Sequence, residues 1–414
     1  MKSYLHVLFI LIVAICGLTS CSDDEAVDIN DINKQTILVF MPWTGDDLST
    51  RIFKQNLDSI EGAITKARRL NGRLLVFFST SENSSDLYEI TYQKGVINHT
   101  PIKTYEGKDY TTAEGITQIL NDMKQNAYAL NYAMMIGCHG CGWTYKDDWT
   151  NYPYQAKMNF LQPDDATWSQ AKRFPFTNYS NGMPTPLTRF FGNINDMSNA
   201  IDVVDLAKGI QGAGIKMQFI LFDDCYMANV ETAYELRDAT NFLIGSTSEV
   251  MLIGVPYQTI WSTLATPTPA YENTIKAFNT YYKSYFMPYG ALSAIDCRKV
   301  EELAKVMKEI NRQNVADDTM IDSLQILDGF ETPIFYDMGH YVNSLCAQPI
   351  LLSDFHARLK EVVTTTATTD SLFSGLNRRK TEVKTYSGIT ISDPSRNSVA
   401  LKGKKKTAWW KATH

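Results

Sequence analysis

Short apolar runs that do not alternate with polar residues recur along this chain, and segments with helical periodicity separate them. Thr36 to Met41, Leu74 to Phe78, Tyr132 to Ile136, Met217 to Phe222, Phe242 to Gly245 and Leu292 to Ile295 are such runs. A strand that is apolar on both sides has to be covered on both sides, which is the condition of a mostly parallel sheet under helices. The intervening segments supply those helices. Ile116, Ile119, Leu120 and Met123 share one helical face behind Thr111-Thr112-Ala113-Glu114, which fits a capping box. Val203, Leu206, Ala207 and Ile210 form a second stripe, stopped by Gly212 and Gly214. Met227, Val230 and Tyr234 continue as a helix after the fourth run, and Val300, Leu303, Met307 and Ile310 follow the sixth. This order predicts βαβ units in an α/β fold, a mostly parallel sheet with helices on both faces. With 414 residues, 44% of them apolar, one large domain can be built.

The two ends of the chain read differently from its body. Residues 1–20 carry Lys2, the apolar stretch Val7 to Ile15 and then Gly17-Leu18-Thr19-Ser20. That is the layout of a secretory signal, with an apolar stretch too short to span a bilayer. Leu18-Thr19-Ser20-Cys21 resembles the lipobox of bacterial lipoproteins, which implies acylation of Cys21 and anchoring in the outer membrane. Ser22-Asp23-Asp24-Glu25 resembles an acidic surface-export tag and reads equally as a solvated tether; residues 21–34 are expected to be flexible. The folded body would then be 35–414. A net charge of −6 gives no electrostatic reason to expect nucleic acid as a partner. Lys402 to Lys406, the one strongly basic run, reads as solvated surface.

Chemistry gathers at two strand ends, where open α/β sheets collect their reactive groups. The third apolar run ends in Gly137-Cys138-His139-Gly140-Cys141-Gly142-Trp143, and the fourth in Asp223-Asp224-Cys225-Tyr226. A thiol and an imidazole are the two parts of an activated nucleophile. An ordinary thiol titrates near about 8.5, and an imidazole beside it raises the thiolate fraction. Of the seven cysteines, Cys16 leaves with the signal and Cys21 is the anchor. Cys138, Cys141, Cys225, Cys297 and Cys346 remain, an odd number, so at least one thiol is unpaired or chemically employed. Cys138 and Cys141 flank His139, yet a second ligand pair for zinc is missing. A metal or redox module on these two cysteines is therefore a rival reading. Between the two strand ends, about residues 144–195, runs a long stretch rich in Trp, Tyr, Phe, Asn and Pro without a clear period, expected to be functional or mobile.

An apolar strand ending in His-Gly, followed by an apolar strand ending in Asp-x-Cys, resembles the signature of caspase-like cysteine peptidases, and within them the clostripain family. Ile37 to Met41 with Asp46-Asp47-Leu48, Glu231-x-x-Tyr234-Glu235-Leu236, Leu292 to Asp296 and Tyr336 to Gly339 resemble further blocks of that family. The resemblance implies a caspase-like fold and a cysteine endopeptidase with His139 as base or proton shuttle and Cys225 as nucleophile. It implies an oxyanion hole from the backbone N–H groups of Gly140 and Cys225, the latter expected at a helix start. It implies that Asp223 lines the pocket for a basic P1 residue, Arg or Lys, with Asp224 competing for that role. Activation by self-cleavage between His139 and Cys225 would follow, with Lys146, Lys157, Lys172, Arg173 and Arg189 as candidate sites. No cofactor is implied as required. Calcium serves some relatives, but Asp147-Asp148 and Asp164-Asp165 lack a calcium-loop spacing and read as solvated surface. Ser248-Glu249 is followed by Val250 to Tyr257 instead of the family's Pro-Gly-rich loop, which leaves subsites beyond P1 open. A catalytically silent surface-binding lipoprotein on the same fold is the remaining alternative.

Overall fold

β1 (Gln35–Met41) is buried along its whole length. Its side chains divide by alternation: Leu38 and Phe40 join one apolar layer, and Ile37, Val39 and Met41 join the opposite one. Burial of each such side chain contributes about 1.5–3 kcal/mol. The computed structural model describes residues 32–45, 47–152, 177–180, 183–186, 188–189 and 197–414, with the backbone alone for 177–180 and 183–186. The signal segment, Cys21, most of the tether, Asp164-Asp165, Lys157, Lys172 and Arg173 lie outside the described residues.

Lys34–His414 form one compact unit around a nine-stranded sheet of order β12-β10-β9-β8-β5-β1-β2-β3-β4. Its centre is parallel: β2 (Arg73–Ser81), β1, β5 (Asn131–Ile136), β8 (Met217–Phe222) and β9 (Thr240–Gly245) pair in that sense. Both edges are antiparallel. β3 (Ser84–Gln93) and β4 (Val96–Glu106) extend one edge, and β10 (Ala291–Asp296) and β12 (Val363–Thr368) the other. One face carries α1 (Asp47–Ala67), with α5 (Tyr257–Leu264) and α6 (Tyr271–Ser284). The other carries α2 (Ala113–Asn126), α3 (Val203–Gly212), α4 (Val230–Glu235) and α7 (Val300–Gln313). The caspase-like architecture expected from the sequence is the one observed.

Three local expectations change. The cap of α2 is Thr112, whose side chain accepts from the Gly115 N–H, because Thr111 closes a preceding 3-10 turn. The stretch from residue 144 is not uniformly without structure: Thr144, Asp148 and Trp149 are buried, and a backbone hairpin pairs β6 (Thr177–Ser180) with β7 (Met183–Pro186). The basic run near the C-terminus is not simply solvated. Lys404 is buried and donates to the Asp393 and Ser395 carbonyls at 2.6 and 2.9 Å, and Lys406 pairs with the buried Asp148 at 2.7 Å. Lys406, with Lys402 on the Asp148 carbonyl at 3.1 Å, fastens this run to residues 144–152, and the ion pair shows that Asp148 is not solvated surface.

Candidate active site

The parallel register decides how the two chemical segments meet. Ile136 at the end of β5 lies opposite Phe222 at the end of β8, so the residues that follow leave the sheet side by side. The Asp223 N–H donates to the Ile136 carbonyl at 2.8 Å. Asp224 then ties the loops together, accepting from the Cys138 N–H at 2.8 Å and from the Cys138 thiol at 3.3 Å. Asp224 is thus engaged with Cys138. Gly140 packs on the nucleophile segment, where a Cβ would stand 2.8 Å from the Cys225 nitrogen and 2.4 Å from its carbonyl oxygen. Among the described residues, no group of His, Cys, Asp and Glu converges as metal ligands would.

Cys225 is fully buried, and its sulfur accepts from the Val250 N–H at 3.3 Å. The expected helix start is displaced. Cys225 sits in a turn, and α4 begins only at Val230, capped by Asn229. Tyr226 adopts φ +65°, a conformation that costs a non-glycine residue energy and persists only where its surroundings impose it. They do so here: its N–H donates to the Ser248 carbonyl at 3.0 Å, its ring stacks on Phe335 at 4.9 Å, and its hydroxyl donates to Glu249 at 2.8 Å. Burial pushes the Cys225 thiol well above the ordinary range for cysteine.

His139 Nε2 lies 3.2 Å from Ser49 Oγ, and Nδ1 lies 2.8 Å from the carbonyl oxygen of Arg189. A carbonyl can only accept, so Nδ1 carries the proton in this network. The carbonyl it touches belongs to the peptide bond between residues 189 and 190.

Arg189 itself is buried beside Asp223. Its N–H donates to the Val250 carbonyl at 2.8 Å, and Thr188 bridges Met251 as an antiparallel strand would. Nη1 reaches Asp223 Oδ2 at 2.7 Å and the Asp223 carbonyl at 2.8 Å. Nη2 donates to Asn56 Oδ1 at 2.6 Å, and Nε donates to the Leu252 carbonyl at 3.1 Å. Phe53 lies under the guanidinium, 5.1 Å from its ring centre. Gly254 provides the space, at φ +77°: a Cβ there would come within 2.1 Å of Nη2. Asp223 Oδ1 accepts from the Val255 N–H at 2.9 Å. Burial raises the Asp223 carboxyl, and the guanidinium opposes that rise.

Among the described residues, Arg189 is the candidate cleavage residue that lies against Asp223. The Lys146 N–H instead donates to Asp202 at 2.9 Å. Asn56, Ser49, Gly254 and the backbone of 250–252 were not expected at the site. A signal existed for the first two. Ser49 and Asn56 share the buried face of α1 with Ile52, Phe53, Leu57 and Ile60, and a polar side chain on an apolar stripe needs a partner.

The sequence profile of the Clostripain family matches residues 186–386. A secreted C11 cysteine protease from Bacteroides thetaiotaomicron, "iotapain", is 38% identical at TM-score 0.78, over 92% of this chain and 99% of that one. A clostripain from the same organism, solved in complex with the peptide inhibitor BTN-VLTK-AOMK, is 43% identical at TM-score 0.52, over 53% of this chain and 97% of that one. An inactive zymogen C11 protease from Parabacteroides distasonis shares the fold, at 23% identity and TM-score 0.71 over 92% of this chain and 98% of that one. No curated protein matches significantly. On identity, coverage and fold together, the chain belongs to the clostripain (C11) family of cysteine peptidases.

Proposed function

We propose that the chain is an endopeptidase that cuts after arginine through Cys225 and His139, and that it is made as a latent single chain presenting its own Arg189 for cleavage. The observation that carries this reading is Arg189 in cis, buried against Asp223 with its carbonyl on His139 Nδ1 and its N–H on the Val250 carbonyl. Those contacts are what a basic P1 residue would make. The inhibitor of the 43% identical relative reads VLTK, and Leu187-Thr188-Arg189 repeats its last three positions with Arg for Lys.

In the reaction, Cys225 Sγ attacks the P1 carbonyl carbon and the thiol proton passes to His139. The C–N bond breaks as the imidazolium protonates the leaving amine. Water, deprotonated by His139, then opens the thioester, releasing the acid and the thiol. The Gly140 and Cys225 N–H groups are assigned to the tetrahedral oxyanion. A buried thiol pushed well above the ordinary cysteine range suits a latent precursor.

Asp223→Ala tests the pocket. Removing a desolvated charge partner costs about 2–5 kcal/mol, so kcat/KM for arginine reporters should fall tens-fold to thousands-fold, while Cys225 still reacts with an alkylating probe. Retention of full arginine preference by the variant would refute the assignment of Asp223.

The protein is also proposed to be exported and held in the outer membrane by lipid on Cys21, on the strength of Leu18-Thr19-Ser20-Cys21 behind its apolar stretch. The 38% identical relative is a secreted protease. Cys21→Ser should release the protein from membranes and end its labelling by a fatty-acid analogue; an unlabelled wild type would rule the anchor out.

A further inference from the structure

Glu249 is a buried carboxylate that the peptide-bond chemistry above does not use. Four neutral donors converge on it. The Tyr226 hydroxyl donates to Oε1 at 2.8 Å, and the Ser374 hydroxyl donates to the same oxygen. The Gly375 N–H donates to Oε2 at 2.8 Å, and the Thr188 hydroxyl donates to that oxygen as well. Three of these donors belong to the wall of the site. The fourth belongs to the segment that carries Arg189.

The backbone register explains why Thr188 faces this carboxylate. Residues 188–189 run antiparallel to 250–252, and successive side chains of an extended strand point to opposite sides. With Arg189 directed to Asp223, the preceding side chain is directed to Glu249. The fit is close: a Cβ on Gly375 would stand 2.5 Å from Thr188 Oγ1 and 3.3 Å from Glu249 Oε2. When this segment leaves, Oε2 loses one of its two donors. A buried carboxylate left short of donors is costly, and an apolar side chain in the vacated place would exclude the water that could replace the lost bond.

We infer that Glu249, with Ser374 and Gly375, forms a second specificity subsite that selects a hydroxyl side chain, threonine before serine, at the P2 position of substrates. The inference rests on the arginine-directed peptidase reading and extends it by one residue. Glu249 also bears on the nucleophile, through its charge near Cys225 and through the Tyr226 hydroxyl, so its effect on selectivity has to be separated from an effect on overall rate.

The test is a set of Leu-Xaa-Arg reporters with Xaa as Thr, Ser, Val or Ala, turned over by the self-cleaved full chain and by Glu249→Gln. Valine has the shape of threonine without the hydroxyl. A site built to bond a hydroxyl rejects the analogue that lacks it, so the wild type should prefer Thr to Val by about 10-fold or more in kcat/KM. Serine should exceed alanine. In Glu249→Gln the Thr to Val ratio should shrink toward one, whatever happens to the absolute rate. Equal turnover of the Thr and Val reporters by the wild type would overturn the inference and leave the arginine reading intact. A variant slowed equally on both reporters, with the ratio kept, would overturn it too, since that is the mark of a purely structural Glu249. Failure of every arginine reporter would remove the arginine reading and this inference with it. The wild-type series needs no variant to fold.

Discussion

Replacing Cys225 with alanine is expected to abolish turnover of arginine reporters and to leave the protein folded and uncut. The replacement removes one sulfur from a fully buried position whose thiol accepts a single bond, from the Val250 N–H. The neighbouring strained residue keeps its supports, because Ser248, Phe335 and Glu249 hold Tyr226. Circular dichroism and thermal unfolding should therefore stay close to wild type while the rate disappears. His139→Ala should behave differently. General acid–base help contributes roughly 10² to 10⁴ in rate, so a slow, measurable activity should remain. It should also loosen Arg189, whose carbonyl loses its donor. Wild-type turnover by Cys225→Ala would refute the nucleophile. A wild type inert toward both reporters and a thiol-alkylating probe would instead favour the silent surface-binding alternative.

Much of the central sheet could be read from residues because parallel strands under helices are apolar without interruption. β1, β5 and β8 are of that kind, and their order was enough to bring His139 and Cys225 to neighbouring strand ends. The edge strands could not be read in the same way. β4 is largely exposed, with Pro101 where the pairing slips, so it carries no apolar run and tolerates a residue without an N–H. The turn holding Cys225 reads as a helix start because Met227 continues the apolar spacing of Val230 and Tyr234. Met227 is buried without being helical. Lys404 and Asp148 read as solvated because charge runs and carboxylate pairs usually are, whereas Lys404 bonds two carbonyls of a nearby loop and Asp148 pairs with Lys406, 258 residues away. The pocket shows the same limit. Asp223 stands out by its position before Cys225, but Asn56, Gly254 and Glu249 lie 167 residues before Asp223 (223 − 56) and 31 and 26 residues after it (254 − 223, 249 − 223). Only the packing of α1 and of 249–254 against β8 joins them.

Arginine 189 should be the residue after which the chain cuts itself. Five basic residues were open to this role from the sequence, and distance from His139 along the chain does not rank them. The pocket does. A guanidinium that bonds Asp223, Asn56 and the Leu252 carbonyl in separate directions uses most of its fork, and such geometry suits Arg better than the point charge of Lys. Incubated wild type should therefore yield a second fragment whose N-terminal sequence begins at Phe190. The two fragments should elute together on gel filtration, because β5 on one side of the cut and β8 on the other are adjacent strands of one sheet. Arg189→Ala should stay whole, with the Asp223 carboxylate left buried without its cation. That loss costs about 2–5 kcal/mol of local stability by the same reasoning as for the substrate. Arg189→Lys should be cut more slowly at the same bond, since one ammonium cannot replace three directed contacts. Both variants can be followed by gel electrophoresis over a time course, with Cys225→Ala as the uncut reference. A wild-type fragment beginning at Asp147, Met158, Arg173 or Phe174, together with an Arg189→Ala chain processed at the wild-type rate, would transfer the role to another basic residue. Arg189 would then be an internal ion-pair partner of Asp223 that keeps the pocket filled until a cut elsewhere releases it.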